Sequence, residues 1–197
     1  MGFKKAVINR RTIYNLGKNI PVLESEIIAA VERMTKEVPS PFNIQSARVI
    51  VTMNEHHEKV WDITKNALKK IVPADKFAGT EAKINSFAAG YGTILYFEET
   101  DTVKGMQEKF PLYADNFPIW ASQANGMLQF AIWTLLEKMG LGVNIQHYNP
   151  LIDDEIKKTF EVPASWKLVA QMVFGEKLKD ADAIEKLPVA ERVKVLK

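Results

Sequence analysis

The stretch Asn116–Gly140, NFPIWASQANGMLQFAIWTLLEKMG, limits the possible folds of this chain more than any other. Trp120, Ala124, Met127, Leu128, Ala131, Ile132, Leu135, Leu136 and Met139 recur at the spacing of one helix face. Phe117, Phe130 and Trp133 add apolar surface on other sides. A helix that is apolar most of the way round has to be buried, in a large core or against a partner chain. Asp115 or Asn116 can cap its start, Pro118 suits the first turn, and Gly140 suits the left-handed position past its end. Ser122, Gln123, Asn125 and Gln129 interrupt it too often for a membrane span. The run that follows, GLGVNIQHYNP, reads as a glycine-rich polar loop delivered by a rigid helix, a common way to build a binding site.

Helical spacing also predicts a short helix over Phe3–Arg10 with Phe3, Ala6 and Val7 inward. A second runs from Pro21 to Lys36, and a third is capped by Asn54 and reaches about Ile71. Pro73–Thr80 reads as a loop and Glu81–Ala89 as a short helical turn. Further helices are expected from Thr100 or Asp101 to before Pro111, and over Ile152–Phe160. Strands are expected at Ala47–Met53, Gly92–Glu98 and Trp166–Phe174. Helices outnumber strands without alternating with them, which favours an α+β fold over a doubly wound parallel sheet. With no linker or repeat, 1–197 reads as one domain, with 176–197 a charged extended tail that has no core of its own.

Lys plus Arg number 26 against 24 Asp plus Glu, too balanced for a dedicated nucleic-acid binder. There is no cysteine, hence no disulfide framework, thiolate metal site or cysteine nucleophile. The first residues are charged and lack an apolar signal-peptide core, and mean hydropathy is −0.13. A soluble, cytoplasmic protein without membrane attachment is expected.

The polar motifs each admit a plain reading. Arg10-Arg11-Thr12 can grip a phosphate with planar guanidinium forks, or form a solvated basic turn. Pro39-Ser40-Pro41-Phe42-Asn43-Ile44-Gln45 can bond a heterocycle edge, or be an ordinary turn. Gly140-Leu-Gly follows a helix and lacks a third glycine, so it is no dinucleotide fingerprint. Glu55-His56-His57-Glu58 reads as a solvated helix start, because sequence neighbours point to different sides of a helix; no metal is expected. No hydrolytic triad can be assembled around His147, the remaining histidine. Polar donors around an aromatic-rich core, without an acid–base constellation, suit a cofactor-dependent enzyme in which the cofactor does the chemistry.

In this order and at about these separations, Arg10-Arg11-Thr12-x-Tyr14, Pro39-Ser40-Pro41-x-Asn43-x-Gln45, the central helix, Gly140-Leu-Gly and Gln146-His147-Tyr148-Asn149-Pro150 resemble the nitroreductase family of flavoproteins. The resemblance spans nearly the whole chain and is closest to a short branch of that family. It implies an α+β homodimer with a mainly antiparallel central sheet flanked by helices, and the long central helix at the dimer interface. Two FMN sites would each be built from both chains. Arg10 would contact the phosphate, Thr12 the ribityl or ring region, and Arg11 would be a second phosphate contact or a structural one. Pro39, Ser40, Pro41 and Asn43 would reach the flavin from the other subunit, with Gln45 just behind. The backbone of Asn144, Ile145, Gln146, His147 and Tyr148 would lie by the reactive N5 edge, and Arg192 and Lys194 would close on the phosphate.

Two departures stand out. Tyr14 occupies the place where many members have a lysine near the flavin N1/O2 edge, and Lys83 or Asn85 can compensate. The chain is also shorter than longer family members between Lys70 and Gly90. The implied activity is ping-pong transfer of electrons from NADH or NADPH to a nitroaromatic, quinone or similar planar acceptor. Flavin N5 would carry the chemistry, no protein side chain would be the nucleophile, and solvent or Tyr148 would supply protons. The rival is a flavin-holding regulatory or interaction protein with incidental turnover.

Overall fold

The structure, a computed structural model, describes residues 2–197. In chain order its elements are α1 (Phe3–Asn9), β1 (Leu16–Gly17), α2 (Glu24–Glu37), β2 (Ala47–Met53), α3 (Asn54–Lys69), α4 (Phe77–Ala88), β3 (Gly92–Glu99), α5 (Thr100–Lys109), α6 (Asn116–Lys138), β4 (Leu141–Gln146), α7 (Asp153–Thr159) and β5 (Trp166–Lys177). The strands form one antiparallel sheet in the order β1-β5-β3-β2, with β4 also paired to β5.

Strand β3 explains the layering. Its side chains alternate, so Ile94 and Tyr96 face one way with Ala170, Met172 and Phe174 of β5, while Leu95 and Phe97 face the other with Leu168 and Val173. Helices α2 and α6 cover the first face through Ile27, Val31, Leu128, Ile132 and Leu136. Helices α3, α4 and α7 cover the second through Val60, Trp61, Ile84, Phe87 and Ile156. Because both faces are covered, β3 is buried along nearly its whole length and Ile94–Phe97 form a continuous apolar run. The result is an α+β helix–sheet–helix sandwich.

Helix α6 buries Phe117, Ala121, Ala124, Leu128, Ile132 and Leu136, and Gly140 takes the left-handed conformation beyond its end at φ 90°. Asn125, fully buried, donates to Phe97 O at 3.0 Å and fastens the helix to β3. Within the single chain the opposite side stays open, with Ile119, Met127 and Phe130 exposed. No described helix is long and apolar enough to cross a membrane.

Several local expectations change. Phe3 is exposed, and Ala6 alone of α1 is buried. Helix α2 begins at Glu24 instead of Pro21, because the Glu26 carboxylate accepts the Leu23 N–H at 2.8 Å and closes the first turn there. Asn54 opens α3 at φ 52° without a capping bond from its side chain, and Ile71 lies past the helix end, exposed. Helix α4 starts at Phe77, inside the expected loop. The presumed loop after Gly140 is largely strand β4, in register with β5 from Leu141↔Glu176 to Gln146↔Gln171. Tertiary pairing there overrides weak local strand propensity. Gly142 makes it possible: a Cβ at that position would lie 2.7 Å from the Leu16 side chain. The two adjacent histidines divide. His56 is exposed, but His57 is buried against β3 rather than solvated.

Candidate functional site

The segment after α1 runs beside β4. Ile13 N–H donates to Val143 O at 2.9 Å, the Asn144 side chain donates to Ile13 O at 2.9 Å, and Thr12 bridges to Val143. Ile13 is buried, so its neighbours Thr12 and Tyr14 turn the other way, toward a cavity. The Arg10 guanidinium stacks 4.3 Å from the Trp133 ring centroid and 5.9 Å from that of Phe130, both on α6. Its Nε is buried and makes no hydrogen bond. Burial and then the neighbouring Arg11 push the Arg10 pKa down, with Glu137 opposing. That is the environment of a cation still short of an anionic partner.

The cavity has a volume of about 550 Å³, and Arg10, Arg11, Thr12, Tyr14, Lys179 and Lys186 contribute to its lining. Asp180 and Asp182 reach it too, but they pair with Lys177 at 3.2 Å and Lys179 at 3.4 Å. Arg11 Nη2 donates to Asp182 O at 2.5 Å, fastening the tail across the opening. Lys177 also pairs with the buried Glu137 at 3.5 Å, which roots the tail on α6.

Behind Tyr14 lies an aromatic cluster. Tyr14 packs on Phe87 with centroids 6.5 Å apart, and Phe87 on Tyr148 at 6.5 Å. Tyr148 meets Trp61 edge-on at 6.1 Å. Burial raises the Tyr148 pKa, so its phenol keeps its proton across the neutral range. Lys83 places Nζ 6.0 Å from the Phe87 centroid. Asn85 is bonded instead to Lys65 at 3.5 Å, on the side of α3. Gln146 donates to Asn144 Oδ1 at 2.9 Å, and His147 is exposed.

Pro39, Ser40 and Gln45 line a different cavity of about 620 Å³, together with Arg48 and Trp166. Pro41 opens onto a neighbouring cleft with Phe42, Trp120 and Met127. Ser40 Oγ accepts the Gln45 N–H at 2.9 Å, leaving its own hydroxyl proton to donate elsewhere. Phe42, Asn43 and Gln45 all have positive φ, at 52°, 54° and 50°. Three non-glycine residues in that region within four positions is a concentration of strain found at ligand clamps and switches.

Within one chain, then, Arg10, Arg11, Thr12 and Tyr14 share a cavity that Pro39–Gln45 does not reach. Nor do Arg192 and Lys194 line it: both are exposed, and Arg192 donates to Leu187 O at 3.3 Å. Lys179 and Lys186 of the same tail do, and sequence reading passed over them. Ser86 and Asn15 were also missed, having no local pattern to mark them. Gln171 had a visible signal, an amide inside the apolar strand run Val169–Val173.

Residues 7–176 match the model of the family described as Nitroreductase. Nitroreductase FRM2 of Saccharomyces cerevisiae is 32% identical over 178 residues, covering 88% of this chain and 86% of that protein. Two structures of nitroreductase CinD from Lactococcus lactis superpose over 100% of both chains. The complex with chloramphenicol has a TM-score of 0.92 at 40% identity, and the complex with 4-nitrophenol 0.91 at 41%. A structure from Desulfovibrio desulfuricans in complex with FMN shares the fold, with a TM-score of 0.70 at 14% identity over 100% of this chain and 98% of that one.

Proposed function

Because this chain belongs to the nitroreductase family, we propose that it is an FMN-dependent oxidoreductase passing electrons from NADH or NADPH to a nitroaromatic, quinone or similar planar acceptor. The observation that carries this reading is the cavity at Arg10–Tyr14, lined by Arg10, Arg11, Lys179 and Lys186 and by the Tyr14 ring, which packs on Phe87. Its donors suit a phosphate, and Arg10 Nε is a buried N–H without a partner. The Tyr14 ring suits the edge of a planar heterocycle. When bound, FMN supplies the redox centre that takes hydride from the nicotinamide and returns electrons to the acceptor. The CinD complexes hold nitroaromatic compounds, which favours that acceptor class.

The chain's own residues have distinct tasks. Trp133 and Phe130 fix the plane of Arg10, so its N–H groups would meet a phosphate with little further ordering. Thr12 offers a hydroxyl beside them, and Arg11 holds the tail shut. Lys179 and Lys186 add charge at the cavity, whereas Arg192 and Lys194 reach a phosphate only after the tail rearranges or passes to a second copy. Lys83, exposed beside Phe87, would supply the positive charge that Tyr14 does not. Tyr148 holds its proton and can orient an acceptor, with solvent replacing what is consumed. Pro39, Ser40, Pro41, Asn43 and Gln45 complete the partner's site in a homodimer, and donor and acceptor then use one slot in ping-pong order.

A visible absorption spectrum of the purified protein, followed by NADH and NADPH oxidation with and without 4-nitrophenol or a quinone, tests this. Flavin bands and acceptor-dependent turnover are expected. A colourless protein that does not take up added FMN would sink the proposal, and a yellow protein without turnover would favour a binding role.

A further inference from the structure

Gln171 sits in β5 between Ala170 and Met172 and is fully buried. A buried amide costs free energy unless its donor and acceptor are used. Both ends are used, and both on the segment that follows β4. Oε1 accepts the Tyr148 N–H at 2.8 Å, and Nε2 reaches Asn149 Oδ1 at 3.5 Å. Gln146 lies opposite Gln171 in the sheet register and donates to the fully buried Asn144, whose amide donates to Ile13 O. These amides tie two segments to one rigid sheet: the one carrying Arg10, Thr12 and Tyr14, and the one carrying His147 and Tyr148.

We propose that Gln171 is a positioning residue for the flavin slot, acting through the backbone of residues 147–149. The inference rests on the FMN reading above. The Tyr148 ring is held by Trp61 and Phe87, and its N–H by Gln171, so the segment is fixed at both the side chain and the backbone. An apolar residue of similar size would fill the same space with no bonding requirement, but it would leave the Tyr148 N–H unpaired and free to re-aim the segment. The amide therefore meets a demand for direction that core filling does not impose.

The test compares Gln171→Leu with Thr52→Val, which removes a different buried bond, from Thr52 Oγ1 to Thr93 O on the far side of β3. FMN affinity is read from quenching of flavin fluorescence, stability from thermal unfolding of the apoprotein, and the flavin midpoint potential from dye equilibration. Gln171→Leu is expected to bind FMN about tenfold more weakly and to shift the potential. Thr52→Val should lower stability while keeping wild-type affinity. Gln171→Glu restores an acceptor for the Tyr148 N–H and should bind FMN more tightly than Gln171→Leu despite its buried charge. Should the leucine variant not fold, Gln171→Met takes its place. Wild-type affinity and potential in the apolar variant, or losses in proportion to stability in both variants, would overturn the inference. Failure of the unmutated protein to take up FMN would instead refute the cofactor reading on which it stands.

Discussion

Arg10 and His57 show how a side chain's surroundings decide what its charge can do. Arg10 is always cationic, stacked on Trp133, with a buried Nε that bonds nothing in the chain. Arg10→Ala should weaken FMN binding at least tenfold, the worth of a charge-assisted bond of about 1.5–3 kcal/mol. A variant that still purifies fully yellow would show that the phosphate lies elsewhere. His57 presents the reverse case. Its Nε2 faces Ala88 O at 3.2 Å, so that nitrogen carries the proton, and Nδ1 accepts from Thr93 Oγ1 at 2.8 Å. Trp61 Nε1 completes the group by donating to the same Thr93 oxygen at 3.0 Å. Burial lowers the His57 pKa from 6.5 to about 4, its bond to Ala88 opposing. The unfolded chain then binds a proton below pH 6.5 that the folded chain refuses until about pH 4, so stability falls as pH drops through that window. Up to about 3 kcal/mol is at stake. Urea unfolding at pH 7 and pH 4.5 should show the loss, and His57→Gln should shrink the difference. The sequence showed two histidines on a helix start; which of them turned inward depended on where β3 placed Thr93.

Elements were legible where local signals agreed. Ala47–Met53 is a strand to the residue, because a β-branched run there ends at a helix start. Helix α5 follows its expected bounds, and Glu99 supplies the cap: its carboxylate accepts from the Asp101 and Thr102 N–H groups. Burial alone would raise the Glu99 pKa, yet bonds from Thr102, Ser165 and the two amides prevail and hold it at about 2. The cap's contribution is complete above the ordinary carboxylate range and is lost only as pH falls toward 2. Glu99→Ala should cost about 1 kcal/mol at neutral pH, measured by chemical unfolding, and that cost should vanish in strong acid. Strand β4 was not legible, since Gly142, Asn144 and Gln146 look like loop residues until β5 lies beside them. The same pairing places Asn144 and Gln171 where their amides can hold two segments together.

At the scale of the whole molecule, α6 has one face packed on the sheet and another left largely open, with Ile119 and Met127 exposed and Phe130 half-covered by Arg10. Pro39–Gln45 likewise ends in cavities apart from Arg10. The proposed homodimer would cover the one and complete the other, and light scattering should then give about twice 22.3 kDa. Met127→Asp puts a charge into that face and should shift the protein toward monomer, with FMN loss following dissociation. A variant that stays dimeric and yellow would move the interface elsewhere. The amino-acid sequence by itself determined which stretches are helical, though not every boundary, three of the strands, the α+β class and the family, because periodicity and motif order are properties of neighbours along the chain. Tertiary structure decided that the run after Gly140 is a strand, that His57 is buried, and that Lys179 and Lys186 line the Arg10 cavity while Arg192 and Lys194 do not. Those outcomes depend on what lies across the sheet or across a cavity, and residue spacing carries no record of that.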